Sequence, residues 1–231
     1  MKIWLAAGGR PENWPPLMTY DKYIGIDRGA LVLLQHRRPV DLAIGDFDSL
    51  TAGELQAVKQ QVNTVIQAPA EKDDTDTQLA LVETLRRYPE AQIDLIGATG
   101  GRLDHLLANL WLPLEDRFRP FAPNLRFLDR QNVVQFFLPG TYQLEKEPGM
   151  QYLAYCCLTP VTDLTLTGSK YLLENVQVPY PTSYASNEFL THTAGFSFSS
   201  GYRMRVVYGT RVDLGGRRSI KKNNKANMQE C

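Results

Sequence analysis

The sequence predicts an α/β protein in which a mainly parallel α/β domain is followed by an all-β sandwich domain. Two observations carry this prediction. In residues 1–122, short apolar runs alternate with helical patterns, which is typical of a parallel sheet covered by helices on both faces. In residues 123–208, short β-like runs are punctuated by glycines and no amphipathic helix is evident. The length of 231 residues fits two modest domains.

The elements of the first half are predicted from apolar runs and helix signals. Strands are predicted at 2–7, 23–26, 42–44, 64–67 and 93–96, and helices at 30–35, 51–61, 75–87 and 103–112. Thr51 and Glu54 have the spacing of a capping box, which opens the second helix. In the third helix the apolar residues Leu79, Val82 and Leu85 recur every three residues, and Pro89 ends the pattern.

The second half contains only short strand-like runs after a boundary near 120–124. These runs are 126–129, 133–138, 141–144, 152–158, 163–166, 176–178, 194–199 and 203–208. Their spacing predicts a β-sandwich. Residues 209–231 are polar, glycine-rich and basic, so we expect a loosely ordered tail there.

Composition excludes several classes of protein. The chain has 25 Lys and Arg against 25 Asp and Glu, which argues against a generally basic nucleic-acid-binding protein. No apolar run approaches the roughly 20 residues that a transmembrane helix needs. Three cysteines do not form a disulfide framework. We therefore expect a soluble cytoplasmic protein without a nucleic-acid or membrane partner.

The neutral total conceals two segments of opposite charge. Residues 41–104 contain 12 acidic and 5 basic residues, a net charge of −7, whereas residues 209–231 contain 6 basic and 2 acidic residues, a net charge of +4. Six acidic residues of segment 41–104, and Asp27 before it, follow the predicted strands, at the edge where ligands bind in open α/β sheets. They are Asp27 after the second strand, Asp46 and Asp48 after the third, Asp73, Asp74 and Asp76 after the fourth, and Asp104 after the fifth.

Each acidic segment alone also fits a structural role. Asp46 and Asp48 are compatible with a turn, and Asp73 or Asp74 with a helix cap. Carboxylates brought together at one sheet edge, however, repel one another unless a cation neutralises them. Only Lys72 and Arg102 lie in the same loops. An all-oxygen ligand set without a Cys or His cluster favours Mg²⁺ over zinc.

The segment after the fifth strand predicts phosphate binding. Residues 97–101 form a glycine-rich loop that enters a predicted helix, where backbone N–H groups can bind phosphate, and Arg102 can bind phosphate oxygens. Neither the P-loop pattern nor the dinucleotide fingerprint is present. The first half is therefore interpreted as a metal and nucleotide site without a P-loop.

Seven short motifs, in order across both halves, resemble the thiamine pyrophosphokinase family. They are segments 27–30, 45–49, 73–76, 100–105, 167–171, 186–189 and 197–201. The resemblance implies transfer of the pyrophosphoryl group of Mg–ATP to the hydroxyl of thiamine, giving thiamine diphosphate and AMP. It also implies a homodimer with active sites at the subunit interface.

The resemblance also implies roles for individual residues. The catalytic residues would be Asp46, Asp48, Asp76 and Asp104, with Mg²⁺ held by Asp46, Asp48 and Asp76. ATP would be bound by Asp27, Lys72, Thr99, Gly100, Gly101 and Arg102. Thiamine would be bound by Ser186, Asn187 and Phe189. Asp76 and Asp104 are the candidates for a general base.

Two other functions fit the same acidic residues. A Mg²⁺-dependent phosphatase would use Asp46 as its nucleophile, because segment 46–49 resembles the start of aspartyl-phosphate enzymes. A non-catalytic module would bind metal and ATP without turnover. The products formed from ATP distinguish these three hypotheses.

Overall fold

The computed structural model describes residues 1–201 and 204–209. The α-helices are α1 (Arg28–Gln35), α2 (Ala52–Gln61), α3 (Asp76–Arg87) and α4 (Leu103–Trp111). The strands of the first half are β1 (Lys2–Ala6), β2 (Lys22–Ile26), β3 (Leu42–Gly45), β4 (Val65–Gln67), β5 (Gln92–Ile96) and β6 (Leu125–Leu128). Those of the second half are β7 (Asn132–Phe137), β8 (Gly140–Glu145), β9 (Tyr152–Cys157), β10 (Val161–Thr167), β11 (Leu173–Val178), β12 (Thr182–Glu188), β13 (Thr193–Phe198), β14 (Ser200–Gly201) and β15 (Met204–Gly209).

Six parallel strands form the first half of a ten-stranded sheet, in the order β4-β3-β2-β1-β5-β6. The inner strands are almost continuously apolar and buried, as expected for strands covered on both faces. Helices α1 and α2 contribute to the core on one face, and α3 contributes to the core on the other. The carboxyl ends of all six strands therefore lie along one edge of the sheet.

Helices α2 and α3 begin within one residue of the predicted positions, whereas α1 begins at Arg28, two residues before its predicted start. Thr51 caps α2 and Thr75 caps α3, each in a capping box with the residue three positions later, Glu54 or Gln78. The cap at Thr75 makes Asp76 the first residue of α3, so its carboxylate lies at the carboxyl edge of the sheet.

The same sheet continues into the second half through antiparallel strands. β6 pairs with β7, and the order then runs β7-β15-β9-β12 to the far edge. The predicted boundary between 122 and 123 assigns β6 to the second domain, whereas β6 pairs in parallel with β5. The division into domains remains a prediction, and a continuous sheet crosses it.

A second, five-stranded sheet completes the β-sandwich. Its order is β11-β10-β13-β8, with β14 paired to β10. Its apolar side chains pack against β9 of the large sheet, for example Phe196 against Tyr155 with ring centroids 5.8 Å apart. The predicted fold class, α/β followed by antiparallel sheets, is thus confirmed.

Some elements of the second half differ from prediction. Strand β12 was not predicted because its sequence is largely polar and only one of its residues is fully buried, so it lacks an apolar alternation. Residues 210–231, including most of the predicted basic tail, lie outside the described residues. Among the helices of the described residues, none is long and apolar enough to cross a membrane.

A buried ion pair lies near the junction of the parallel and antiparallel strands. Asp94 of β5 is 2% exposed, and its carboxylate accepts two hydrogen bonds of 2.7 Å from the guanidinium of Arg126 on β6. The Tyr20 hydroxyl donates to the same carboxylate at 2.5 Å. Burial and the Asp94 carboxylate raise the pKa of Tyr20, so its proton stays in this network. All the charge at Asp94 is thus compensated inside the fold.

Candidate active site

A cavity of about 700 Å³ lies at the carboxyl edge of the parallel strands. Its walls come from the segments that follow β1, β2, β3, β4 and β5, together with the first turns of α1, α3 and α4. This is the position in which open α/β sheets bind ligands. The structure therefore brings the predicted acidic loops together around one cavity.

Three carboxylates meet in this cavity. One oxygen each of Asp27, Asp46 and Asp76 lies within 4.8 Å of the other two. Asp27 lies immediately before α1, Asp46 follows β3, and Asp76 is the first residue of α3. Three neighbouring loops of the sheet thus supply one carboxylate apiece, all partly buried.

Asp27 is held in an unusual conformation by its neighbours. Its φ of 48° is rare for a non-glycine residue. Its Oδ1 accepts a 3.0 Å hydrogen bond from the backbone N–H of Phe47. A Cβ atom at Gly45 would lie 1.9 Å from this oxygen, so glycine is required there. Burial, with the nearby carboxylates of Asp76 and Asp46, raises the pKa of Asp27 to about 7.

Lys72 lies between the other two carboxylates. Its Nζ donates to Asp46 Oδ2 at 3.0 Å and lies 2.9 Å from Asp76 Oδ1. Burial favours the neutral form of Asp46, but the Lys72 ammonium and the Asp48 amide outweigh it and lower the pKa of Asp46. Burial likewise opposes the charge on Lys72, and the two carboxylates outweigh it, raising the pKa of the lysine.

The carboxylates have acceptor capacity left over. Asp76 Oδ1 is buried and accepts no hydrogen bond of ordinary geometry, although the Lys72 ammonium is near it. A buried charged oxygen without a directed donor is costly unless it binds a ligand or ion. The available donors are all carboxylate oxygens, the type that Mg²⁺ prefers. The residues therefore fit a Mg²⁺ ion.

Two predicted acidic residues lie outside this cluster. Asp48 is exposed, and its backbone N–H donates to Asp46 Oδ1 at 3.1 Å. Asp104 is exposed on the first turn of α4, where Arg102 Nη2 donates to it at 2.6 Å. The hydrogen bonds from Arg102 lower the pKa of Asp104. Their predicted catalytic roles remain predictions.

The glycine-rich loop borders the same cavity. Thr99, Gly101 and Arg102 line it, and Gly100 lines an adjacent cavity of about 720 Å³. Gly100 has a φ of 73°, and a Cβ there would lie 2.5 Å from the side-chain nitrogen of Asn13. Thr99 Oγ1 donates to Asp129 Oδ2 at 2.7 Å. The predicted ATP-binding residues Asp27 and Lys72 face the cavity as well.

Two polar residues near this loop were not predicted. Asp129 follows β6 at the same sheet edge and holds the Thr99 side chain. The occurrence of acidic residues after each strand could have identified it, had β6 been assigned to the parallel sheet. Asn109 is buried on α4 and donates to the Ala98 carbonyl at 3.2 Å, which fixes the end of the loop. A lone Asn within a helix gives no comparable sequence signal.

The three predicted thiamine-binding residues lie on or just after β12. Ser186 is exposed, has a φ of 59°, and falls where the β12–β9 register shifts. Asn187 is buried, and its side chain bonds Ser169 and both backbone groups of Tyr171. Phe189 packs against the sandwich core. Within one chain, these residues lie at the opposite edge of the ten-stranded sheet from β4.

The fold and the cavity define an α/β protein with an acidic ligand site, extended by a β-sandwich. Comparison with known proteins makes this class more specific. Residues 17–119 match the family model described as thiamin pyrophosphokinase, catalytic domain. Residues 141–202 match the model described as thiamin pyrophosphokinase, vitamin B1 binding domain.

Individual proteins give the same result along almost the whole chain. A thiamine pyrophosphokinase of Bacillus subtilis (strain 168) is 36% identical over 214 residues, covering 88% of this chain and 97% of that protein. The solved structure of a thiamin pyrophosphokinase family protein from Enterococcus faecalis is 56% identical, with a TM-score of 0.90. It covers 92% of this chain and 100% of its own. The chain belongs to the thiamin pyrophosphokinase family, and we conclude that it is an enzyme.

Proposed function

We propose that this enzyme transfers the pyrophosphoryl group of Mg–ATP to the hydroxyl of thiamine, giving thiamine diphosphate and AMP. The observation that carries the proposal is the carboxylate cluster of Asp27, Asp46 and Asp76 beside a glycine-rich loop, in a chain of this family. A cavity of about 700 Å³ is within the range of small-molecule sites.

Mg²⁺ is the proposed cofactor. Asp46 and Asp76 would hold it, and Asp27 is the third carboxylate near enough to take part. Asp48, the third ligand predicted from the sequence, would reach the same position only if its side chain turned into the cavity. When bound, the ion would neutralise charge that develops on the transferring phosphate oxygens.

The remaining polar groups would bind and orient the phosphates. The glycine-rich loop leads directly into α4, so its backbone N–H groups would bind phosphate there, and Arg102 and Lys72 would supply positive charge. Thr99 is kept in place by Asp129. Asp76 or Asp104 would accept the proton of the thiamine hydroxyl, because a carboxylate in hydrogen-bond reach is the required base.

We further propose a homodimer in which one chain supplies the ATP site and its partner supplies Ser186, Asn187 and Phe189. Four strands separate β12 from β5 in the large sheet, a distance of roughly 24 Å at 4.8 Å per strand. A thiamine bound at β12 would therefore lie far from the phosphates of its own chain. In a homodimer, β12 of the partner would lie beside the phosphates instead. Light scattering would detect the dimer in solution.

Mixing two defective variants tests the shared site. Asp76→Asn removes a carboxylate of the ATP site, and Ser186→Arg places a positive charge where cationic thiamine would bind. If sites are shared, the mixture regains about a quarter of the wild-type activity after subunit exchange, although each variant alone is inactive. No recovery in a mixture proven to contain heterodimers would contradict sharing.

Product analysis tests the reaction itself. We expect release of AMP that depends strictly on both thiamine and Mg²⁺. Release of ADP or inorganic phosphate would favour the phosphatase with Asp46 as nucleophile, and ATP binding without turnover would favour a nucleotide-binding module. Against the phosphatase, both oxygens of Asp46 already accept hydrogen bonds, from Asp48 N–H and Lys72. We propose a cytoplasmic location and no nucleic-acid partner.

A further inference from the structure

The side chain of Lys72 is largely buried and its ammonium group contacts several oxygens of the site. Its Nζ is surrounded by three oxygens: Asp46 Oδ2 at 3.0 Å, Asp76 Oδ1 at 2.9 Å and the Pro69 carbonyl at 3.1 Å. Only 15% of the side chain is exposed. Its positive charge therefore lies within the carboxylate cluster, in direct contact with two of its three members.

Lys72 and a divalent cation would compete for the same oxygens. A Mg²⁺ ion binds carboxylate oxygens at about 2.0–2.1 Å and demands a nearly regular octahedron. An ammonium that approaches the same two carboxylates would lie a few ångströms from the metal, where like charges repel strongly at low dielectric. The two cations therefore cannot both occupy the position between Asp46 and Asp76.

We propose that Lys72 is a tethered counter-ion that occupies the metal position of the free enzyme and is displaced when the metal and nucleotide bind. Without a cation, three carboxylates within 4.8 Å would repel one another and force the loops apart. The ammonium keeps the loops in place. Its flexible four-carbon stem lets it leave, and the incoming phosphate oxygens offer it a new partner in the same cavity.

This inference rests on the proposed Mg²⁺ site, and it predicts that loss of Lys72 raises the affinity for divalent metal. Removal of a carboxylate that binds a metal weakens metal binding, whereas removal of a cation that competes for the same oxygens strengthens it. In the absence of nucleotide, Lys72→Met should therefore bind divalent metal more tightly than the wild type. In the absence of metal, the same variant should unfold at a lower temperature, because its carboxylates have lost their counter-ion.

The experiment measures Mn²⁺ binding to the nucleotide-free protein by electron paramagnetic resonance of the free ion, because Mn²⁺ accepts the same oxygen ligands as Mg²⁺. We expect Lys72→Met and Lys72→Gln to bind Mn²⁺ at least about 10-fold more tightly than wild type. Lys72→Arg keeps the charge and should stay within about 3-fold of wild type. The control is Lys59→Met, which removes an exposed lysine of α2 that donates to Gln67 of β4. This variant should leave the affinity for Mn²⁺ unchanged.

The outcomes separate this inference from the proposed function. Unchanged or weaker Mn²⁺ binding in a cooperatively folded Lys72→Met would overturn the counter-ion role while leaving the metal site intact. Equal strengthening in Lys72→Arg would also overturn it, because packing rather than charge would then be the cause. Absence of Mn²⁺ binding in both the wild type and Lys72→Met would instead contradict the proposed Mg²⁺ site.

Discussion

The buried carboxylate of Asp94 and the partly buried carboxylate cluster at the edge of the sheet differ in how their charge is compensated. Asp94 accepts two hydrogen bonds from Arg126 and one from Tyr20, so its charge is neutralised within the fold. Among the described residues, the cluster of Asp27, Asp46 and Asp76 has a single cationic partner, Lys72, and one oxygen of Asp76 lacks a directed donor. Complete compensation marks a structural carboxylate, and incomplete compensation marks a ligand site.

The largest expected effect is on the stability of the fold, through Asp94. Asp94→Asn should lower the free energy of unfolding by about 3 kcal/mol, because the partly buried Arg126 guanidinium loses the carboxylate that accepts both of its 2.7 Å hydrogen bonds and keeps only the longer 3.5 Å contact with Glu147. Urea unfolding measures this change. The turnover number of the folded fraction should stay near that of wild type, and a specific loss of turnover without loss of stability would break the comparison.

In the carboxylate cluster, a substitution should lower turnover rather than stability. Asp76→Asn should lower turnover at least ~100-fold, a typical effect of removing a key electrostatic group at a reaction centre. Its free energy of unfolding without metal should be unchanged or higher, since a repelling charge is gone. The matched measurements are the thiamine-dependent AMP assay and urea unfolding in chelator. Near-normal kinetics would show that Asp76 has only a structural role in the first turn of α3.

A smaller effect is expected on the pH dependence of stability, through Asp27. The pKa of Asp27 is about 7 in the fold, against an ordinary value of 3.8, so the folded state binds this proton more tightly than the unfolded state. The stability from this group is therefore present below about pH 4 and lost as the pH rises through 7. Each pKa unit corresponds to about 1.4 kcal/mol.

The variant Asp27→Asn isolates this contribution, because its amide stays neutral and still offers an oxygen to the Phe47 N–H. In chelator, the wild type should lose stability relative to Asp27→Asn between pH 5 and pH 8, as measured by urea unfolding. Mg²⁺ should reduce the difference. Parallel pH profiles of the two proteins would show that Asp27 is an ordinary ionised carboxylate.

Much of this arrangement could be predicted from local sequence signals. The apolar runs and the capping boxes at Thr51 and Thr75 gave the strands and helices of the first half, and parallel-strand geometry brought Asp46 and Asp76 to one edge. The family resemblance, now confirmed, supplied the activity that composition alone left open.

The remainder depends on contacts between residues distant in sequence. Nothing local separates Asp27, which joins the cluster, from Asp48, which points to solvent, because the difference lies in the packing of Gly45 against Asp27. The ion pair of Asp94 and Arg126 spans two strands whose pairing was unknown. Strand β12 was missed because a polar edge strand is specified by its neighbour β9 rather than by its own pattern.

The position of β15 sets a limit on the order in which the protein can fold during synthesis. This strand is the last described element, yet it lies inside the sheet, between β7 and β9. The parallel strands can pair as soon as they leave the ribosome, but β9 and β12 cannot join the large sheet until residue 209 has been made. The edge of β7 is unpaired during this interval and open to wrong partners.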